Sequence, residues 1–391
     1  MDKELLIAPL IRGFLVEKTG CPWVVQPCER GAGEKTIVVD TQAEDRKKAL
    51  EVFSASLETC RNDSEIPLRW LVRWAGEEYY FCAAEDFEGI EKIKRNEQKD
   101  CPDAAGIRAA AGKRNRDDAV RGRIALVTGG AQGFGEEIVR GLCAAGALVF
   151  IADLNMKGAE ALASGLNGEY GKTVAFPVEV NVSDEESVER MVNFVAGTAG
   201  GLDLCISNAG VLRASAILEQ DMTSFKFVTD VNYVAFAMVS KHCGRLMSVQ
   251  HRSAPSWHTD IIQINSKSGL EGSNKNGSYA GGKFGGIGLV QSFALELVEY
   301  NIKVNAICPG NFFDGPLWSD PQKGLFVQYL NAGKVPGAKT VADVKAFYEA
   351  KVPMGRGCTG PDVIRALMYL VEQIYETGQA LPVTGGQVML H

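Results

Sequence analysis

No stretch of the 391-residue chain reaches the run of about 18 apolar residues that a membrane-spanning helix needs, so no span is expected. A basic excess is also missing. Lys and Arg number 41 against 48 Asp and Glu, giving a net charge of −7, and no basic stripe of the kind nucleic-acid binders carry is present. Histidine is scarce: His242, His251, His258 and His391 are the only four, and none stands at zinc-finger spacing from a cysteine. No structural metal is expected. The ten cysteines form no CxxC pair and are expected to be small buried hydrophobes. The opening Met1-Asp2-Lys3-Glu4 is acidic, and the apolar run behind it is broken by Pro9 and Arg12. That is not a secretory signal, and a cytoplasmic protein is expected. The 43 glycines follow no collagen period, so they belong to turns and close contacts.

What is present divides in two. Residues 99–121, KDCPDAAGIRAAAGKRNRDDAVR, are charged, small and poorly periodic, and read as a linker. Before them, residues 1–98 suggest a small α+β module of the form β-α-β-β-α. Thr36–Asp40 is a short β-branched run, and residues 42–60 place Ala49, Val52, Phe53 and Leu57 on one helical face. Residues 68–74 and 78–84 are strand-like runs about Ala75-Gly76-Glu77, hence a hairpin. A charged helix is expected over 85–98. Trp70, Trp74, Tyr79 and Tyr80 read better as hairpin core and surface than as a ligand platform. The role of this module stays open.

From residue 122 apolar strands alternate with helical patterns to the final Leu381–Thr384. Such alternation implies right-handed βαβ units, a Rossmann-type doubly wound parallel sheet, and ligands at the carboxyl ends of its strands. The first strand-to-helix turn reads Thr128-Gly129-Gly130-Ala131-Gln132-Gly133-Phe134-Gly135. Glycines there allow a tight turn and a close approach to a pyrophosphate, beside the positive end of a helix. Asp153, 24 residues after Gly129, ends the next strand. Its carboxylate can accept the ribose hydroxyls of NAD and would repel the 2′-phosphate of NADP, although Lys157 nearby leaves NADP open.

The TGxxxGxG spacing resembles the short-chain dehydrogenase/reductase family. Ser207-Asn208-Ala209-Gly210 resembles that family's NNAG, with Ser207 in place of the first Asn. Asn181-Val182 matches its adenine-holding Asp-Val pair, and Pro309-Gly310 its turn beneath the nicotinamide.

Tyr279 and Lys283 lie four apart in a helical region and so share a face. They match the family's YxxxK. A tyrosine with a pKa near about 10 is a poor base at neutral pH. A neighbouring ammonium and an oxidised nicotinamide are expected to favour the tyrosinate and lower that pKa. Ser266, 13 residues before Tyr279, matches the family serine that steadies the substrate oxygen, with Ser268 as its competitor. Asn232, expected inside a helix over 224–248, matches the asparagine of the proton relay or else makes a structural hydrogen bond.

The resemblance covers 123–391 and is most detailed to members acting on sugar-alcohol phosphates. Its carriers are the stretches 261–269, 279–289, Gly310-Asn311 with Pro316, 351–358 and 383–389. It implies interconversion of sorbitol 6-phosphate and fructose 6-phosphate with NAD, in a homodimer or homotetramer. A phosphate needs cationic or amide donors. Lys267 and Asn311 are the chosen candidates, with Lys275 and Arg356 behind them. Gly281 and Gly282 interrupt the catalytic helix, and 250–259 is a polar insert. Two alternatives remain: a dehydrogenase of another polyol or ketose, or a cofactor-sensing regulator on the same fold.

Overall fold

The computed structural model describes residues 3–389 except 31–34, 40–45, 61–62, 64, 75–76, 96, 98–102, 105–118, 323, 332 and 334. The chain opens with α1 (Glu4–Thr19), β1 (Val24–Pro27), β2 (Lys35–Val39), α2 (Arg46–Glu58), β3 (Arg69–Trp74), β4 (Glu77–Ala84) and α3 (Phe87–Lys94). Four strands form one sheet in the order β1-β4-β3-β2. β2 pairs parallel with β3, and β4 pairs antiparallel with both β3 and β1. The expected hairpin and its flanking helices are present. Residues 40, 42–45 and 75–76 of those expectations, and most of the supposed linker, lie outside the described residues.

Two elements were not expected, α1 and β1. Residues 6–16 of α1 are buried on every side, so no amphipathic period announces the helix. Pro9 and Gly13 lie inside it. Leu6, Ile7, Leu10, Ile11, Phe14 and Leu15 pack with Trp23, Phe53, Trp70 and Phe81. Burial of each large apolar side chain contributes about 1.5–3 kcal/mol before conformational entropy is set against it. Trp70 and Trp74 are core residues, as expected, and Phe14 meets Trp70 edge-on.

The second sheet follows. It is built by β5 (Ile124–Thr128), α4 (Gly133–Ala144), β6 (Leu148–Asp153), α5 (Met156–Tyr170), β7 (Ala175–Glu179), α6 (Glu185–Ala199) and β8 (Leu204–Ser207). Next come α7 (Met222–Thr229), a π-helical turn at Asp230–Val234, α8 (Ala235–His251), β9 (Thr259–Ile264), α9 (Gly277–Leu297) and β10 (Ile302–Pro309). Four further helices, α10 (Pro316–Ser319), α11 (Leu325–Asn331), α12 (Val341–Glu349) and α13 (Gly360–Glu372), precede β11 (Ala380–Val383). All seven strands are parallel, in the order β11-β10-β9-β8-β5-β6-β7. The order reverses between β5 and β8, which puts a crevice at their carboxyl ends. No described helix is long and apolar enough to cross a membrane.

The two sheets share one core. Phe87, Ile90 and Ile93 of α3 join Phe150, Val178 and Val195 in a single apolar cluster, and Phe87 lies 4.7 Å from Phe176. α1 packs on α6 and α8. Its Arg12 is fully buried and holds the fully buried Asp203 through two hydrogen bonds of 3.0 and 2.5 Å. Asp203 also accepts from the Trp257 indole at 2.9 Å and from the Ile124 amide at 2.8 Å. Burial alone would push Asp203 upward. The Arg12 and Arg123 guanidiniums and the Ile124 amide hold its pKa below the ordinary carboxylate value. The insert 250–259 serves this junction: Gln250 accepts from Arg12 at 2.8 Å, and Ser256 donates to Glu17. A Cβ on Gly13 would lie 2.3 Å from the Gln250 carbonyl oxygen, so only glycine permits the crossing of α1 and α8.

Candidate active site

A cavity of about 1130 Å³ opens over the carboxyl ends of strands β5 to β10. Its wall includes Gly129, Gln132, Gly133, Phe134, Asp153, Asn181, Val182, Asn208, Ala209, Gly210, Ser266, Tyr279, Pro309 and Gly310. Residues separated by 181 positions in the chain (Gly129 to Gly310) thus face one space.

The glycine-rich turn is held from below. Gly129 adopts φ 62°, and a Cβ on Gly135 would lie 1.9 Å from the Gly129 oxygen. Asn208 donates to the Thr128 and Gly129 carbonyls at 3.0 Å each, while the Thr128 hydroxyl accepts from the amides of Asn208 and Ala209. Asn208 therefore braces the turn that it also neighbours in the cavity wall. Phe134 stacks on Phe312 at 4.3 Å and ties the start of α4 to the loop after β10. Asp153 accepts from the Ala131 and Asn155 amides, one on each oxygen. A carboxylate oxygen has further lone pairs, so ribose hydroxyls can still be bound. Asn181 makes a local turn by accepting from Ser183.

Ser266 and Tyr279 also line this cavity. Ser266 follows β9, and its hydroxyl accepts from the Ser268 amide at 3.1 Å. Ser268 is itself buried, and this contact makes it a support for Ser266. Lys283 is buried on α9 and donates to the Ile264 carbonyl at 2.9 Å. Its ammonium lies 5.6 Å from the centre of the Tyr279 ring. Burial pushes the Lys283 pKa down to about 8.

The expected lowering of Tyr279 is not what the protein alone produces. Burial pushes its phenol above the ordinary value, and only the hydrogen bond with Ser266 opposes this. Asn232 also differs from expectation. It sits in the π-helical turn between α7 and α8, a geometry common at functional sites, and not within a continuous α-helix. Its amide donates to the Val211 carbonyl at 2.7 Å and accepts from the Val211 amide at 3.1 Å. The structural bond is therefore present.

Of the phosphate candidates, Lys267 and Asn311 line the cavity. Lys275 does not, and Arg356 lies in a separate pocket, paired with Asp362 at 2.6 Å. The close approaches on α9 are made at Gly285 and Gly286, where a Cβ would meet Tyr233 and Gln263. Gly281 faces open space, and a Cβ on Gly282 would make only ordinary contact, 3.4 Å from the Asn232 Cβ. Sequence reasoning missed the far wall, formed by Trp318, Tyr329, Tyr348 and Lys351. Its signal was the density of aromatics between 312 and 348, which form their own cluster with Phe313 and Phe326.

This geometry agrees with the comparisons with known proteins. The chain belongs to the short-chain dehydrogenase family, whose profile matches residues 123–318. It is 36% identical over 273 residues to the sorbitol-6-phosphate 2-dehydrogenase of Escherichia coli K12, a match covering 68% of this chain and 99% of that one. The 3-oxoacyl-acyl-carrier-protein reductase of Aquifex aeolicus is 28% identical, over 68% of this chain and 98% of that one. The crystal structure of sorbitol-6-phosphate 2-dehydrogenase from Erwinia amylovora superposes with a TM-score of 0.63 at 38% identity, covering 68% of this chain and 100% of that one. The family profile begins at residue 123, one position before the first strand of the second sheet.

Proposed function

We propose that the protein is an NAD-dependent dehydrogenase interconverting a sugar-alcohol phosphate and a ketose phosphate, namely sorbitol 6-phosphate and fructose 6-phosphate. The observation that carries this reading is the gathering of Ser266 and Tyr279 at one end of a cavity whose other end holds the glycine-rich turn and Asp153. The relatives named for sorbitol 6-phosphate support the substrate.

The cavity fits a dinucleotide. The glycine-rich turn closes tightly because Gly129 and Gly135 have no Cβ, and the start of α4 faces a pyrophosphate. Asp153 binds the adenine-side ribose hydroxyls and disfavours a 2′-phosphate. Asn181 and Val182, which line the cavity, would hold the adenine, and Pro309 and Gly310 would support the nicotinamide. The nicotinamide, when bound, accepts or gives the hydride.

The chain's own residues manage the proton. Ser266 donates to the substrate oxygen and steadies its charge. Tyr279 holds the proton at that oxygen, giving it up toward a carbonyl and taking it from an alcohol. A phenol raised by burial keeps its proton at neutral pH, which suits the reducing direction. Lys283 places a cation near the ring and favours the tyrosinate in the oxidising direction. Asn232 carries the relay onward from Lys283. The same reading implies a homodimer or homotetramer.

The deciding experiment measures initial rates with NAD and with NADP on sorbitol 6-phosphate, sorbitol and other polyol phosphates. The expected result is the highest kcat/KM for sorbitol 6-phosphate with NAD. A preference for a free polyol, or for NADP, would reject the corresponding half of the proposal.

A further inference from the structure

We propose that Lys351 selects the phosphorylated substrate, its ammonium binding the phosphate jointly with that of Lys267. The inference rests on the reading given under Proposed function and names the part of the cavity that reads the phosphate. Among the described residues lining the cavity, only Asp153, Lys267 and Lys351 carry a formal charge. Asp153 ends β6, on the side of the glycine-rich turn. Lys267 follows β9, two strands across the reversal point, and Lys351 follows α12. The negative group and the two positive ones are thus assigned to different parts of one space.

Neither lysine is committed elsewhere. Among the described residues, Lys267 and Lys351 have no carboxylate partner, whereas the neighbouring Lys345 is held by Asp314 at 2.8 Å and Glu349 at 3.8 Å. The Lys351 ammonium rests 4.2 Å from the centre of the Phe347 ring and 5.0 Å from that of Tyr348. A cation over aromatic faces is positioned without being neutralised. Tyr348 is fixed in turn by Trp318 at 5.2 Å and Tyr329 at 5.4 Å, and all three rings line the cavity. An ammonium held in this way binds a phosphate dianion as a point charge and gives a neutral polyol far less.

Lys351 is exposed, so its replacement leaves the core intact. The test compares kcat/KM on sorbitol 6-phosphate and on sorbitol in Lys351→Ala, Lys351→Arg and Lys345→Ala, with melting temperatures as a folding control. In Lys351→Ala the ratio of phosphorylated to free substrate should fall about 10- to 100-fold, mostly through KM. Arg should restore most of it, and Lys345→Ala should leave the ratio as it was. An unchanged ratio, an equal loss on both substrates, or a loss that Arg does not repair would overturn the role. An intact enzyme that itself prefers no phosphorylated polyol would instead sink the substrate reading on which this rests.

Discussion

The seven-stranded sheet and the four-stranded sheet are built by the same burial of apolar strands, yet they present different surfaces. The larger keeps one end of its strands open, and polar groups from five of its strand ends face the cavity there. The smaller closes itself against α1, α2 and α3 and then against α6 and α8 of the larger. Its most elaborate polar contact, Arg12 with Asp203, lies at the amino end of β8, opposite the cavity. One region thus has its specific polar groups at an open cavity. The other has them at a buried seam, where they fix how two pieces of chain meet.

This contrast can be broken in three ways. The largest effect is expected from Tyr279→Phe, which should lower turnover by about 10²- to 10⁴-fold. The melting temperature should barely move, because the ring and its packing are kept. Steady-state rates and a thermal melt would show it, and near-normal activity would remove Tyr279 from the chemistry. Next is Arg12→Met, which leaves Asp203 buried without its main cationic partner. A loss of about 3–5 kcal/mol is expected in urea unfolding. A change below about 1 kcal/mol would show that the two regions are energetically separable. The smallest is Gly13→Ala, where the new Cβ meets the Gln250 carbonyl. It should cost about 1–3 kcal/mol, with KM values for any active substrate unaltered. A stabilised Gly13→Ala protein would mean that α1 and α8 slide apart freely.

Much of the larger region was legible in the chain itself. Parallel strands buried on both faces read as continuous apolar runs, as in Ile124–Val127 and Leu148–Ala152, and the helices between them keep their period. Gly129, Gly133 and Gly135 fall within one turn, and Tyr279 and Lys283 within one turn of helix, so their spacing survives in one dimension. α1 was not legible for the converse reason: a helix buried all round has no polar face to mark its period, and Pro9 and Gly13 argue locally against it. The π-helical turn at Asn232 was equally hidden, since inserting one residue into a helix leaves its composition unchanged. Tyr279 shows a limit of a different sort. A neighbouring ammonium and an oxidised nicotinamide were expected to lower its pKa, but in the protein alone burial raises it against the hydrogen bond with Ser266.

The sequence by itself determined the alternation of strands and helices, the family, and the local YxxxK and glycine-rich motifs, because each is set by neighbours within a few residues. Only the tertiary structure decided which distant groups meet. It brought Arg12 to Asp203 across 191 positions and put Lys351 in the same cavity as Lys267. A charge on a linear chain carries no record of its partner. The partner is chosen when chain segments pack and the cost of burying an unpaired charge eliminates the alternatives.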